Sequence, residues 1–133
     1  MTAAHTAFTP VLAQPRPQSA GLPGIAHATW AGRDDGLEQL SVWRQSLAPG
    51  AATPPHGHDC DEVVFCLAGH GEAHVDGGVF SFGPDSTVLL PRGSVHQILN
   101  TGDAALELLA VFAATPVQTR LPDGQAIALP WRS

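Results

Sequence analysis

Between Pro54 and Glu62 the chain reads PPHGHDCDE, which brings two histidines, two aspartates, a cysteine and a glutamate into one short run. His56 and His58 are two residues apart, so in extended chain both side chains point to the same face. Glu62 follows a short turn and opens the next strand. His96 opens a later strand, just after the turn Pro91-Arg92-Gly93. Three imidazoles and one carboxylate suit one divalent transition metal ion: Fe, Mn, Ni, Co, Cu or Zn. They converge on one ion only if their strands neighbour one another in a closed sheet, which a barrel allows. On an octahedral ion such a set leaves two positions for water, oxygen or a chelating substrate.

The rest of the sequence has the rhythm of an all-β domain. Gly and Pro punctuate it at short intervals between runs of β-formers. The strands expected are within LEQLSVWRQSL (37–47), EVVFCLA (62–68), STVLL (86–90), VHQIL (95–99) and ALELLAVFA (105–113), with EAHVDGGVFSF as a hairpin turning at Asp76-Gly77-Gly78. Many short strands and no convincing amphipathic helix predict a sandwich or barrel. Residues 1–23 are rich in Pro, Ala and Gln and read as an extended arm lying on the body or on a partner subunit; residues 24–133 read as one domain.

Composition limits the function. A chain of 133 residues with 44% hydrophobic residues fits one domain with its own core. The formal charge is −6, and the six basic residues are scattered arginines, which argues against nucleic acid and against an anionic membrane surface. No apolar run approaches the length of a membrane span, and the N-terminus lacks the pattern of an export signal. Two cysteines do not make a disulfide framework, so a reducing cytoplasm is the expected compartment.

Two motifs, in order, resemble those of the cupins. The first, GAATPPHGHDCDEVVFCLAG, runs from Gly50 to Gly69 and has every fixed position: Gly50, His56, His58, Glu62 and Gly69. The second, DSTVLLPRGSVHQILN (85–100), matches at Pro91, Gly93, His96 and Asn100 and departs only at Asp85, where the motif has a glycine. The resemblance spans roughly residues 37–113. It implies a jelly-roll β-barrel of two antiparallel sheets (a double-stranded β-helix) with one metal inside, held by His56, His58, Glu62 and His96. It also implies a single-domain protein, often a homodimer with a crossing arm.

Other reactive groups have plainer readings. Cys66 shares parity with Glu62 and Val64 and reads as a core residue. Cys60, in the turn between ligands, is the one thiol placed to compete with Glu62. His70 and His74 read as surface or wall residues, His5 and His27 as incidental. Phe65, Phe80, Phe82, Phe112 and Trp43 read as core, and Glu107 as an outward polar residue.

Ligand charge counting leaves a divalent centre near +1, which favours small enolates, hydroxyketones and keto acids. The first functional expectation is a metal-dependent dioxygenase or related oxidoreductase acting on a small enolisable or anionic substrate, with Glu62 doubling as catalytic base. The alternatives are a Lewis-acid decarboxylase, isomerase or lyase, with Arg92 as a clamp near the mouth, and a non-catalytic small-molecule-binding protein.

Overall fold

The computed structural model describes residues 8–132; His5 lies outside them. Twelve strands follow in order: β1 Gln18–Leu22, β2 Ile25–Ala31, β3 Ser41–Leu47, β4 Gly57–His58, β5 Glu62–Ala68, β6 Gly71–Val75, β7 Gly78–Phe82, β8 Thr87–Leu90, β9 His96–Asn100, β10 Leu106–Phe112, β11 Thr119–Arg120 and β12 Ala126–Ile127. Among the described residues one 3-10 turn, Arg33–Asp35, interrupts them. One sheet has the order β1-β2-β3-β10-β5-β8, a second β7-β6-β9, and a third, small one β12-β11-β4. Pairing is antiparallel throughout. This is the jelly-roll architecture that the two motifs imply.

Alternation along the strands builds the core. Trp43, Val64, Leu108, Ala110 and Phe112 are buried on the inner face of the large sheet, and Ala73, Phe82 and Ile98 face them from the second. Leu47 and Leu106 are fully buried, and each such side chain contributes about 1.5–3 kcal/mol by leaving water. The β6–β7 hairpin turns on Asp76 (φ 48°) and Gly77 (φ 86°), the two-residue turn with left-handed backbone at both positions that matches strand twist. Gly78 lies inside β7, so the turn is one residue shorter than the sequence suggests. Part of the N-terminal arm is a strand, since β1 pairs with β2.

Two residues of the second motif shape the backbone that presents His96. Asn100 donates through Nδ2 to the carbonyls of Leu47 and Ala104, both at 2.9 Å, and accepts from Gly102 N–H at 2.9 Å. Gly93 turns with φ 79°, and its N–H donates to the carbonyl of His58 at 3.0 Å. The turn before β9 is thereby hooked to β4, the strand that carries His58.

Candidate metal centre

His56 and His96 face each other across an isolated antiparallel bridge, exchanging both backbone hydrogen bonds at 3.0 and 2.7 Å. Their rings lie 4.4 Å apart between centroids. The residue between the histidines must be small here: a Cβ on Gly57 would sit 2.7 Å from the carbonyl oxygen of Ser94. His58 comes from β4, with its ring 5.0 Å from that of His56 and 5.4 Å from that of His96. One ring nitrogen from each of the three histidines lies within 4.8 Å of the others.

Hydrogen bonds set which nitrogen faces inward. His56 Nδ1 is 2.6 Å from the carbonyl of Pro54, and His58 Nδ1 is 3.0 Å from the carbonyl of Gln118. A carbonyl only accepts, so Nδ1 carries the proton on both rings and Nε2 keeps its lone pair. Outer partners of this kind orient metal-binding histidines. Thr119 Oγ1 lies 3.2 Å from the same Nδ1 of His58.

Glu62 opens β5 between Leu90 of β8 and Phe112 of β10. Its Oε1 is 3.5 Å from His58 Nε2 and 3.4 Å from His96 Nε2. Burial pushes its carboxyl up to about 8. Burial, joined by the neighbouring His56, lowers His58 to about 4, against the opposing pull of the Gln118 carbonyl and Asp59. Burial, with His56 and His58, lowers His96 to about 3, opposed by the Ser94 backbone. His56 is lowered too, chiefly by burial. The close contacts are therefore between neutral groups at pH 7 and are not ion pairs. Glu62 Oε1 is buried with no hydrogen-bond partner, a costly state for a carboxyl oxygen in protein. Two inward lone pairs, on His56 and His58, with the imidazole of His96 and an orphaned carboxyl oxygen beside them, make up the donor set of a mixed imidazole–carboxylate metal site, so the residues fit such an ion.

The site opens onto a cavity of about 130 Å³ between the sheets. Its walls are mostly apolar: Trp43, Val64, Ile98, Leu108, Phe112 and, from the tail after β12, Leu129 and Trp131. Gln45, Thr53 and Thr119 add polar atoms, and among the described residues no lysine or arginine lines it. Arg92 is exposed, and its backbone N–H donates to Asp61 Oδ1; it forms no clamp inside. Arg44 points away from the cavity and pairs with Glu107 at 2.7 Å, which places Glu107 outside as expected.

The structure separates the remaining groups. Cys60 and Cys66 are free, buried thiols, both raised chiefly by burial, and neither lines the cavity. His74 pairs with Glu72 at 3.1 Å on the half-exposed side of β6, and His70 is exposed. His27 is not incidental. It is buried, stacks on Trp131 at 3.8 Å, and receives the Gln45 amide at 3.0 Å on Nδ1 when its Nε2–H donates to Thr29 at 2.8 Å. Thr119 and Trp131 carry no signal of spacing, because their contacts exist only once the tail folds back. Gly57 was visible inside the His-x-His pattern, but its role needs the Ser94 backbone.

Comparison with known proteins agrees with this geometry. Auxin-binding protein 1 of Arabidopsis thaliana is 34% identical over 108 residues, covering 74% of this chain and 54% of that protein. Auxin-binding protein T85 of Nicotiana tabacum is 34% identical over 115 residues, covering 77% of this chain and 62% of that protein. The chain thus spans little more than half the length of these relatives. The crystal structure of a sugar phosphate isomerase of the cupin superfamily from Silicibacter pomeroyi DSS-3 superposes with a TM-score of 0.66 at 29% identity, covering 77% of this chain and 68% of that one. Residues 43–112, just over half the chain, match the Cupin_2 family, Cupin domain. With both motifs, the jelly roll and the clustered histidines in place, the chain belongs to the cupin family.

Proposed function

We propose that this protein binds one divalent transition metal through His56, His58, Glu62 and His96, and uses it to hold the anionic head of a small organic molecule whose apolar body fills the cavity. The single observation that carries this reading is the contrast within the cavity's lining: a cluster of metal-type donors set in mostly apolar walls to which, among the described residues, no lysine or arginine contributes. A bound divalent ion would supply positive charge and Lewis acidity where the side chains supply none. The apolar walls exclude water and select the body of the ligand. A dry cavity of about 150 Å³ accepts benzene, so a space of about 130 Å³ suits a body near the size of one ring. Relatives named for binding auxin support a small-molecule ligand. The test is calorimetric titration of metal-loaded and metal-stripped protein with small aromatic carboxylates. Binding that needs the metal supports the proposal, and equal binding by both forms counts against it.

A second reading, dioxygenase chemistry on an enolisable compound, is supported by Glu62. Among the described residues it is the one carboxyl group lining the cavity, and as a carboxylate beside the other donors it would be placed to take a proton from an acidic carbon. Oxygen uptake that requires a redox-active ion and is lost with zinc would establish it; turnover by the zinc form under nitrogen would contradict it.

A further inference from the structure

We propose that Arg120 is a positioning residue for His58, and that its clamp on Asp59 ties metal affinity to the seating of the tail that walls the cavity. The inference rests on the metal-binding reading above. β4, β11 and β12 are two residues each, and β11 meets β4 through two pairs, Thr119 with His58 and Arg120 with Gly57. Strands this short make few ladder bonds, and a small hairpin is marginal in water by itself. Yet β11 must be held closely. The Gln118 carbonyl that receives His58 Nδ1–H at 3.0 Å stands immediately before it. Side chains alternate along the strand, so Thr119 is buried beside His58 and Arg120 lies outside.

The outer side supplies the hold. Arg120 Nε donates to Asp59 Oδ1 at 2.9 Å and Oδ2 at 3.1 Å, and Nη2 donates to Oδ2 at 3.0 Å. Nη1 donates to the carbonyl of Gly124 at 3.1 Å. One guanidinium thus joins the residue after β4 to the turn between β11 and β12. An exposed ion pair ordinarily adds little, but a two-pronged fork with a further bond is the geometry that does. Asp59 belongs to the acidic run around the first histidines, yet its carboxylate is exposed and engaged by Arg120, outside the cluster of His56, His58 and His96.

The same tail continues past β12 to Leu129 and Trp131 in the cavity wall, where Trp131 stacks on His27 at 3.8 Å. Loosening the clamp frees the Gln118 carbonyl and that wall together. Loss of an outer partner of a ligating histidine weakens metal binding by about 10–100-fold. Plain charge acts in the opposite sense. Arg120 is a cation on a chain of formal charge −6, and removing it lowers repulsion toward a divalent ion. Electrostatics alone therefore predicts equal or tighter metal binding without Arg120, and positioning predicts weaker binding.

The test is chelator competition for zinc on the stripped full chain, beside hydrogen exchange read by mass spectrometry. Wild type is compared with Arg120→Gln, Arg120→Lys and Arg16→Gln, the last removing the same charge from an exposed place in the arm. Arg120→Gln is expected to bind zinc about 10-fold more weakly, with faster exchange between residues 117 and 131 and unchanged exchange in β3 and β10. Arg120→Lys keeps the charge without the fork and is expected to bind more weakly than wild type, by a smaller factor. Arg16→Gln is expected to bind as wild type does. Should Arg120→Gln not fold by circular dichroism, Arg120→Lys carries the comparison. Zinc binding by the folded Arg120 variant as tight as wild type, or tighter, overturns the proposal. So does weaker binding with unchanged exchange in the tail, or an equal loss in Arg16→Gln. A wild type that binds no zinc removes the metal reading, and this inference with it.

Discussion

Thr119 and His58 stand directly opposite each other in the short pairing of β11 with β4, and the threonine hydroxyl lies 3.2 Å from His58 Nδ1. The adjacent Gln118 carbonyl takes the same N–H at 3.0 Å. A late strand thus aims a histidine that lies about sixty residues earlier. Thr119→Val keeps the shape and removes the hydroxyl, and is expected to weaken metal binding by about 10-fold, the lower end for loss of an outer partner of a ligating histidine. Thr119→Ser should restore most of it. Chelator competition measures both, and equal affinity of wild type and Thr119→Val would show that the hydroxyl plays no part.

Metal binding should release a proton. Glu62 in the metal-free protein titrates at about 8, so at pH 7 it is mostly protonated, and a ligating carboxylate must lose that proton. Titration in two buffers of different ionisation enthalpy is expected to report roughly one proton per ion at pH 7, falling toward zero near pH 9. Glu62→Gln should release almost none.

The metal-free fold should lose stability on both sides of a narrow pH range. His58 and His96 are lowered from 6.5 to about 4 and about 3, so the unfolded chain binds more protons as pH falls below 6.5, and stability drops there. Glu62 is raised from 4.5 to about 8, so the folded chain holds the extra proton, and its contribution fades as pH rises from 4.5 through 8. Thermal melts of metal-free protein against pH should show both slopes. Glu62→Gln should flatten the alkaline one and leave the acidic one.

The residues proposed to hold the metal were legible in the sequence because they sit in two compact motifs whose turns are local. What completes the site was not. Thr119 and Trp131 reach it from the tail, and nothing in their neighbours marks them. His27 looks solitary until Trp131 stacks on it. Phe65 was misplaced because EVVFCLA is apolar on both parities, so alternation alone cannot say which face is inside. Phe80 has the inward parity of Phe82, yet it is 60% exposed because β7 is an edge strand.

Gly57→Ala tests how tightly β4 must approach the turn before β9. Its new Cβ would meet the Ser94 carbonyl oxygen at 2.7 Å, and backbone must move to relieve it. A loss of about 1–3 kcal/mol in urea unfolding is expected, with weaker metal binding. Unchanged stability and affinity would show that the bridge between His56 and His96 tolerates the shift.

Trp131 reports on the cavity. Its Nε1 is buried without a hydrogen-bond partner, and its ring lies 5.2 Å from that of Trp43 across the wall. A ligand entering there should change tryptophan emission, and Trp131→Phe should weaken a ligand that accepts the Nε1 hydrogen bond by about 10-fold, or about 1.4 kcal/mol. Emission that stays constant while calorimetry reports binding would place the ligand elsewhere.

The central claim is the four-residue metal site, and metal content tests it most directly. Protein purified without a histidine tag, stripped with chelator, reloaded with manganese or zinc and desalted should carry about one ion per chain by mass spectrometry. His96→Ala should carry almost none while keeping its β-sheet circular dichroism. Wild type that retains no ion, or a His96→Ala chain that retains a full one, would contradict the account.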